Sequence, residues 1–321
     1  MPHSHHSHSG QFCQHASGLL EEVVVEAVKQ GFEMYGLTEH VPRYREEDLY
    51  PEEQGAPLDI LTQQFTDFLQ EAHRLKLKYE SKISLIVGLE TEFITRPDLD
   101  RLQELLSIHG SRIEYIVGSV HHVNGVPIDF DLKTFDKALS SCASAPTAGR
   151  ALDTSPMEGL LSAYFDAQYE IILRFKPEII GHFDLCRLYH PGLRFSDYPL
   201  VWEKILRNVQ LAIGYGALFE VNAAAFRKGW QSAYPAEDVL ELIAAQGGHL
   251  ALSDDSHGPQ SVGLNYDRLA RYLRHIGVCE IWRLESSAIL NAAGRPNAAV
   301  KIENEWWNHS FWKERSSAAY V

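Results

Sequence analysis

The chain has 321 residues, 45% of them hydrophobic, and a formal net charge of −14, so it can bury one large core but lacks the clustered Lys/Arg face of a broad nucleic-acid surface. No apolar run reaches the roughly 18 residues of a transmembrane helix, and the amino terminus is His-rich rather than signal-like, so a soluble cytoplasmic protein with no nucleic-acid or membrane partner is expected. The four cysteines, Cys13, Cys142, Cys186 and Cys279, lack CxxC spacing, which argues against a disulfide frame or a structural zinc site and suits reduced thiols.

In chain order, short apolar runs alternate with stretches of helical spacing. HSHHSHS opens the chain, a helix is expected over 19–29, and YGLTEH follows at 35–40. A helix over 61–79 leads to LIVGLE at 85–90, one over 99–108 to YIVGSVHH at 115–122, and one over 160–174 to IIGHFD at 179–184. A helix over 200–213 precedes LFEVN at 218–222, one over 238–245 precedes HLALSDDSH at 249–257, and a last helix spans 267–275. Runs rich in Val, Ile and Leu without polar alternation read as parallel strands buried on both faces. Segment 140–158, rich in Ala, Ser, Pro, Gly and Thr, reads as a flexible insertion, and the Trp-rich tail (Trp306, Trp307, Trp312) as packing that closes one end of a single domain spanning 1–321.

Seven strand–helix repeats fit either a (β/α) barrel or a doubly wound sheet. Nearly every strand here ends on a His, Asp or Glu, whereas a doubly wound sheet gathers its polar groups at one or two strands beside the switch point. The distribution predicts a (β/α)7 barrel with its chemistry at the carboxyl rim.

His6 and His8 stand two apart on the first strand, so both point to one face; His3 and His5 compete with them by proximity. Asp255 and His257 repeat that geometry after the last strand, with Asp254 as the substitute if the register slips by one. Glu90 ends its strand as a carboxylate whose two oxygens can each bind a different cation. His40, His121 and His182 each follow a separate strand, and His15 follows the first loop. His73 lies within a helix, His109 and His275 sit near helix carboxyl ends, His249 precedes its strand, and His122 points away from His121, so these are left out.

These residues carry a resemblance. HSHHSHS with His15, TEH at 38–40, GLE at 88–90, GSVHH at 118–122, GHFD at 181–184 and SDDSH at 253–257 resemble the polymerase and histidinol phosphatase (PHP) superfamily. HSHHSHSGQFCQHA, LTEHVPR with YPEE after it, and FEVNAAAFRKG followed by AYP are similar to the fungal type of histidinol-phosphate phosphatase. The resemblance implies a distorted seven-stranded TIM-like barrel and a trinuclear centre of divalent ions. By it, one ion takes His6, His8, Glu90 and Asp255, a second shares Glu90 and adds His121 and His182, and a third takes His15, His40 and His257. One departure is a loop one residue longer between the HxH pair and His15.

A cluster of divalent ions lowers the pKa of a bridging water to about 7 and clamps phosphoryl oxygens, which suits a hydroxide attack on a phosphate monoester. Zn, Mn and Fe suit a mixed His and carboxylate set about equally. Arg187 and Arg227 are the expected phosphate holders, with Lys228 and Arg43 behind them, because a guanidinium fork matches phosphate oxygens. Asp255, His257 or a metal-bound water is expected to protonate the leaving alkoxide. Glu220, Asn222 and Tyr234 are candidates, on position alone, for a wall facing the rest of the substrate. By the resemblance that substrate is L-histidinol phosphate, cleaved to L-histidinol and phosphate in histidine biosynthesis. The competing readings are a PHP-type esterase for another small monoester or for nucleic-acid ends, an amidohydrolase-type hydrolase, and a metal-binding barrel without catalysis; the additional His15, His40 and paired Asp255 and His257 argue against the second, and complete ligand sets beside arginines suited to phosphate against the third.

Overall fold

The computed structural model describes residues 2–143, 155–303 and 305–312. Seven strands, β1 (His3–Ser4), β2 (Met34–Leu37), β3 (Ser84–Glu90), β4 (Tyr115–Gly118), β5 (Ile179–Ile180), β6 (Leu218–Asn222) and β7 (His249–Ser253), lie side by side in sequence order. Every neighbouring pair is parallel. Helices α1 (Leu20–Lys29), α2 (Leu58–Tyr79), α3 (Arg96–His109), α4 (Leu132–Ser141), α5 (Pro156–Phe175), α6 (Pro199–Tyr215), α7 (Glu237–Ala245) and α8 (Tyr266–His275) make the returns.

The sheet closes through its first and last strands. Beyond β1 the chain pairs Ser7–His8 in parallel with Ser256–His257, and below that point the Ser4 hydroxyl donates to Asp254 Oδ1 at 2.7 Å while Leu252 N–H donates to His3 Nε2 at 3.0 Å. The result is the expected distorted (β/α)7 barrel.

Alternation along the strands sorts the apolar residues into two layers. Tyr35, Leu85, Val87, Ile116, Ile180, Phe219, Leu250 and Leu252 face outward into the main core under the helices. Met34, Ile86, Tyr115, Val117, Ile179, Leu218 and Ala251 instead form a small separate cluster inside the barrel, at the end away from the strand carboxyl termini. Tyr115 fills most of that interior, and its hydroxyl donates to His5 O at 2.7 Å. Gly36 and Gly88 lie directly against its ring and hydroxyl, where a Cβ would collide.

An antiparallel hairpin, β8 (Trp282–Ser286) with β9 (Asn297–Lys301), plugs this end by inserting Leu284 into the inner cluster. The Trp-rich tail packs elsewhere: Trp306 and Trp312 are buried in the outer core, with Trp312 stacked on Tyr266 and Phe311 edge-on to Phe32. Closure of the barrel end therefore belongs to the hairpin.

All seven anticipated helices are present within a few residues of their expected bounds, and α4 is an addition. Asp131 caps it, accepting from Thr134 N–H at 2.6 Å. Most of the insertion expected at 140–158 lies outside the described residues; its flanks belong to the end of α4 and the start of α5. Among the described residues, no helix is long and apolar enough to cross a membrane.

Candidate metal centre

Because parallel strands all end on one rim, the side chains that terminate them converge there. Glu90, the last residue of β3, lies at the centre. Its Oε2 is 3.1 Å from His6 Nε2 and 3.2 Å from His8 Nε2, and those two nitrogens are 3.1 Å apart. Asp255 Oδ1 stands 3.7 Å from His6 Nε2 and 3.8 Å from His8 Nε2. On the other side, Glu90 Oε1 is 3.2 Å from His121 Nε2 and 3.0 Å from His182 Nε2, with 3.2 Å between the two imidazoles. A third group brings donor nitrogens of His15, His40 and His257 within 4.8 Å of one another. All nine anticipated ligand side chains therefore meet.

The donor set fits divalent ions. Bonds of about 2.0–2.2 Å to a tetrahedral ion separate its ligands by roughly 3.3–3.6 Å, close to the spacings around both Glu90 oxygens. Imidazole nitrogens facing one another at hydrogen-bond distance, with a carboxylate oxygen between them, are satisfied together by a cation. His40 Nε2 is buried with no hydrogen-bond partner.

The electrostatics agree. Glu39, Glu90, Glu92 and Glu220 are buried around the cluster and Asp255 is 13% exposed at its edge, and among the described residues only histidines ion-pair with them. Buried carboxylates need compensating charge. Burial alone would raise the Glu90 carboxyl, but His6, His121 and His40 hold it well below the usual carboxylate range. Burial also lowers His15 to about 4 and, with the field of His8, His40 to about 3, so both are neutral imidazoles able to ligate. His8 goes the other way, to about 9, because Glu39 and Glu90 outweigh its burial. The pocket thus draws in positive charge, which divalent ions supply.

Outer partners fix the ligand rings. Glu220 accepts from His6 Nδ1–H at 2.9 Å and from His182 N–H at 2.6 Å, while Glu39 holds His8 Nδ1 at 3.2 Å. Glu92 Oε1 lies 3.0 Å from His40 Nδ1 and 3.2 Å from His121 Nδ1 and accepts from the Tyr50 hydroxyl at 3.1 Å. The i, i+2 spacing of Glu90 and Glu92 was the available signal for Glu92, since both side chains leave one face of the chain. Asp255 adopts a left-handed backbone, φ 47°, a conformation uncommon outside glycine and concentrated at functional sites.

The competing residues have other partners. His5 Nε2 accepts from Leu284 N–H at 3.0 Å while its other ring nitrogen faces Leu252 O, and burial lowers it to about 4. Asp254 is taken by Ser4, Tyr35 and Gly263, so no register slip occurs. His73, within α2, faces Arg112 O, and His249 stacks on Trp282 at the plugged end. The longer loop before His15 folds back, with Phe12 and Cys13 N–H both donating to Ser9 O. That turn also sets the Cys13 thiol 3.2 Å from His15 Nε2.

Four expectations about the substrate wall need correction. Arg187 does not reach the rim: it is 2% exposed, held by Asp184 at 2.7 Å and Asp238 at 2.6 Å, and lies over the Phe195 ring. Arg43 is locked on Glu53 and lies over Tyr50. Glu220 sits behind His6, with both oxygens engaged as above. Asn222 is also buried, its amide donating to Asp255 Oδ2 at 3.2 Å and its carbonyl oxygen accepting from Ala224 N–H. Arg227, Lys228 and Tyr234 do line a cleft of about 450 Å³ over the ligands, together with Tyr50, Glu52, Asp129 and Phe130.

A seven-stranded barrel that gathers four carboxyl-rim histidines, an HxH pair, a shared glutamate and a terminal Asp–x–His defines a PHP-domain protein, and the PHP domain model matches residues 4–224. The chain belongs to the histidinol-phosphatase family of PHP-domain proteins. It is 43% identical to the probable histidinol-phosphatase of Schizosaccharomyces pombe over 95% of this chain and 96% of that one. With the histidinol-phosphatase of Saccharomyces cerevisiae it shares 30% identity over 97% and 99% of the two chains. Among solved structures, a putative histidinol phosphatase from Listeria monocytogenes superposes with a TM-score of 0.69 at 22% identity, covering 82% of this chain and 98% of that one. A histidinol phosphate phosphatase from Lactococcus lactis, complexed with zinc, L-histidinol and phosphate, superposes with a TM-score of 0.58 at 18% identity, covering 88% and 95%.

Proposed function

We propose that this chain hydrolyses L-histidinol phosphate to L-histidinol and phosphate, the histidine-biosynthetic reaction, on three divalent ions held by His6, His8, His15, His40, Glu90, His121, His182, Asp255 and His257. The observation that carries this reading is Glu90, which offers one oxygen to His6 and His8 and the other to His121 and His182. Ions bound there supply an activated water and neutralise charge on the phosphoryl oxygens.

The chain's own groups do the rest. Arg227, at the end of the single helical turn Ala224–Arg227, has no acidic partner among the described residues and lines the cleft, so its guanidinium is free for phosphate oxygens. Lys228 adds a second positive charge beside it. Glu220 and Glu39 orient His6 and His8 from behind, and Asn222 steers Asp255. Asp255 and His257 both border the cleft and are the side chains placed to return a proton to the leaving alkoxide.

Phosphate release from L-histidinol phosphate, measured beside sugar phosphates, nucleotides and oligonucleotides, tests the reading. L-Histidinol phosphate is expected to have the highest kcat/KM of the panel. Equal or faster turnover of any other member contradicts it.

A further inference from the structure

Beyond the metal ligands, the cleft has two chemically opposite walls. The loops after β2 and β4 bring Glu52, Asp129 and Phe130 to it, and the loop after β6 brings Arg227 and Lys228. Glu53, next to Glu52, is held by Arg43. Among the described residues, no Lys or Arg ion-pairs with Glu52 or Asp129, and none of the acids pairs with Arg227 or Lys228. Charges of both signs facing one cleft complement a ligand that carries both.

Three observations place the negative wall within reach of a bound molecule. The Asp129 carboxylate acts electrostatically on Tyr50, Tyr234 and His15, and Glu52 also acts on His15. Tyr234 lines the cleft, is 2% exposed, and its buried hydroxyl has no hydrogen-bond partner. Phe130 leaves 44% of its surface exposed at the cleft, an aromatic face suited to a flat cationic ring.

We propose that Glu52 and Asp129, with Phe130 beside them, form a cation subsite that holds the ammonium and imidazole end of an amino-alcohol phosphate while Arg227 holds its phosphate. This inference rests on the phosphatase reading above and adds what sets its selectivity. A neutral sugar phosphate leaves both carboxylates unpaired, and a nucleotide brings further negative charge against them. The sequence-based candidate for this wall, Glu220, cannot serve, because both its oxygens are engaged behind the ligands.

The test is the double variant Glu52→Gln/Asp129→Asn in the full-length, metal-loaded protein. kcat and KM are measured for L-histidinol phosphate and for p-nitrophenyl phosphate, and L-histidinol binding without phosphate is measured by calorimetry. Loss of two charge-assisted contacts predicts that KM for L-histidinol phosphate rises about 10- to 100-fold, with a smaller change in kcat. The ratio of the two substrates' kcat/KM falls by a similar factor, and L-histidinol binding weakens in parallel. An unchanged ratio, with both substrates affected alike, overturns the subsite, as does unaltered L-histidinol binding. If the wild type releases no phosphate from L-histidinol phosphate, the phosphatase reading fails. The calorimetry then decides the subsite separately: L-histidinol bound by the wild type and lost in the variant supports it, and no binding by the wild type overturns it.

Discussion

At the scale of single residues, position on a strand predicts convergence but not availability. Eight of the nine ligand candidates were legible because side chains at a strand's carboxyl end must arrive at the rim; the ninth, His15, comes from the first loop. The arginines were not legible in the same way. Arg187 lies five residues past His182 and Arg227 five past Asn222, yet Asp184 and Asp238 claim the first and, among the described residues, no acid claims the second. Whether an acid lies in wait depends on tertiary neighbours such as Asp238, 51 residues further along the chain. The two therefore have opposite expected phenotypes. Arg227→Ala should lower kcat/KM by about 100-fold or more, the scale of losing a charge-stabilising donor, with little change in Tm. Arg187→Ala leaves the buried Asp184 carboxylate without its cation and should destabilise the fold by about 3 kcal/mol, with KM nearly unaltered in the folded fraction. Thermal unfolding and steady-state kinetics on both variants check this; a catalytic defect without destabilisation in Arg187→Ala would put the phosphate on the wrong arginine.

At the scale of elements, the seven strands and seven helices followed from periodicity, while the elements with weak periodicity did not. α4 has ten residues and runs into a low-complexity stretch, so its apolar side, Phe135 and Ala138, was masked by neighbours that read as loop. The hairpin plug was hidden for another reason. Its segment, WRLES, buries only Leu284 well, a pattern indistinguishable in sequence from an exposed strand. Its contact with His5 links the plug to the residue just after the first strand, one before the candidate ligand His6. Leu284→Ala should cost about 2–5 kcal/mol, the range for deleting a buried leucine side chain, while the metal content of the remaining folded protein stays at the wild-type level. Denaturant unfolding with metal analysis checks it; an unchanged midpoint would mean that the barrel end is not sealed by this side chain.

At the scale of the whole molecule, the acidic balance of −14 takes on a local meaning. Four buried carboxylates and the slightly exposed Asp255 ring the barrel mouth, and among the described residues only histidines ion-pair with them, so the site favours bound cations. Anything that binds the native state and not the unfolded chain adds stability by mass action, so the loaded protein should unfold at a higher temperature than the chelated one. The sequence disclosed the candidate ligands because the barrel places them strand end by strand end. It disclosed Arg227 and Lys228 on one wall of the cleft but not Glu52, Asp129 and Phe130 on the other, which come from loops whose geometry no periodicity constrains.

The claim on which all three scales depend is that Glu90 serves two ions at once. Metal content per chain, measured by inductively coupled plasma mass spectrometry on wild type and Glu90→Gln, tests it most directly. The wild type is expected to hold about three divalent ions per chain, and the variant to lose at least the two that share Glu90, together with phosphatase activity and the metal-dependent rise in Tm. Wild-type metal content and near-normal turnover in Glu90→Gln would contradict the account.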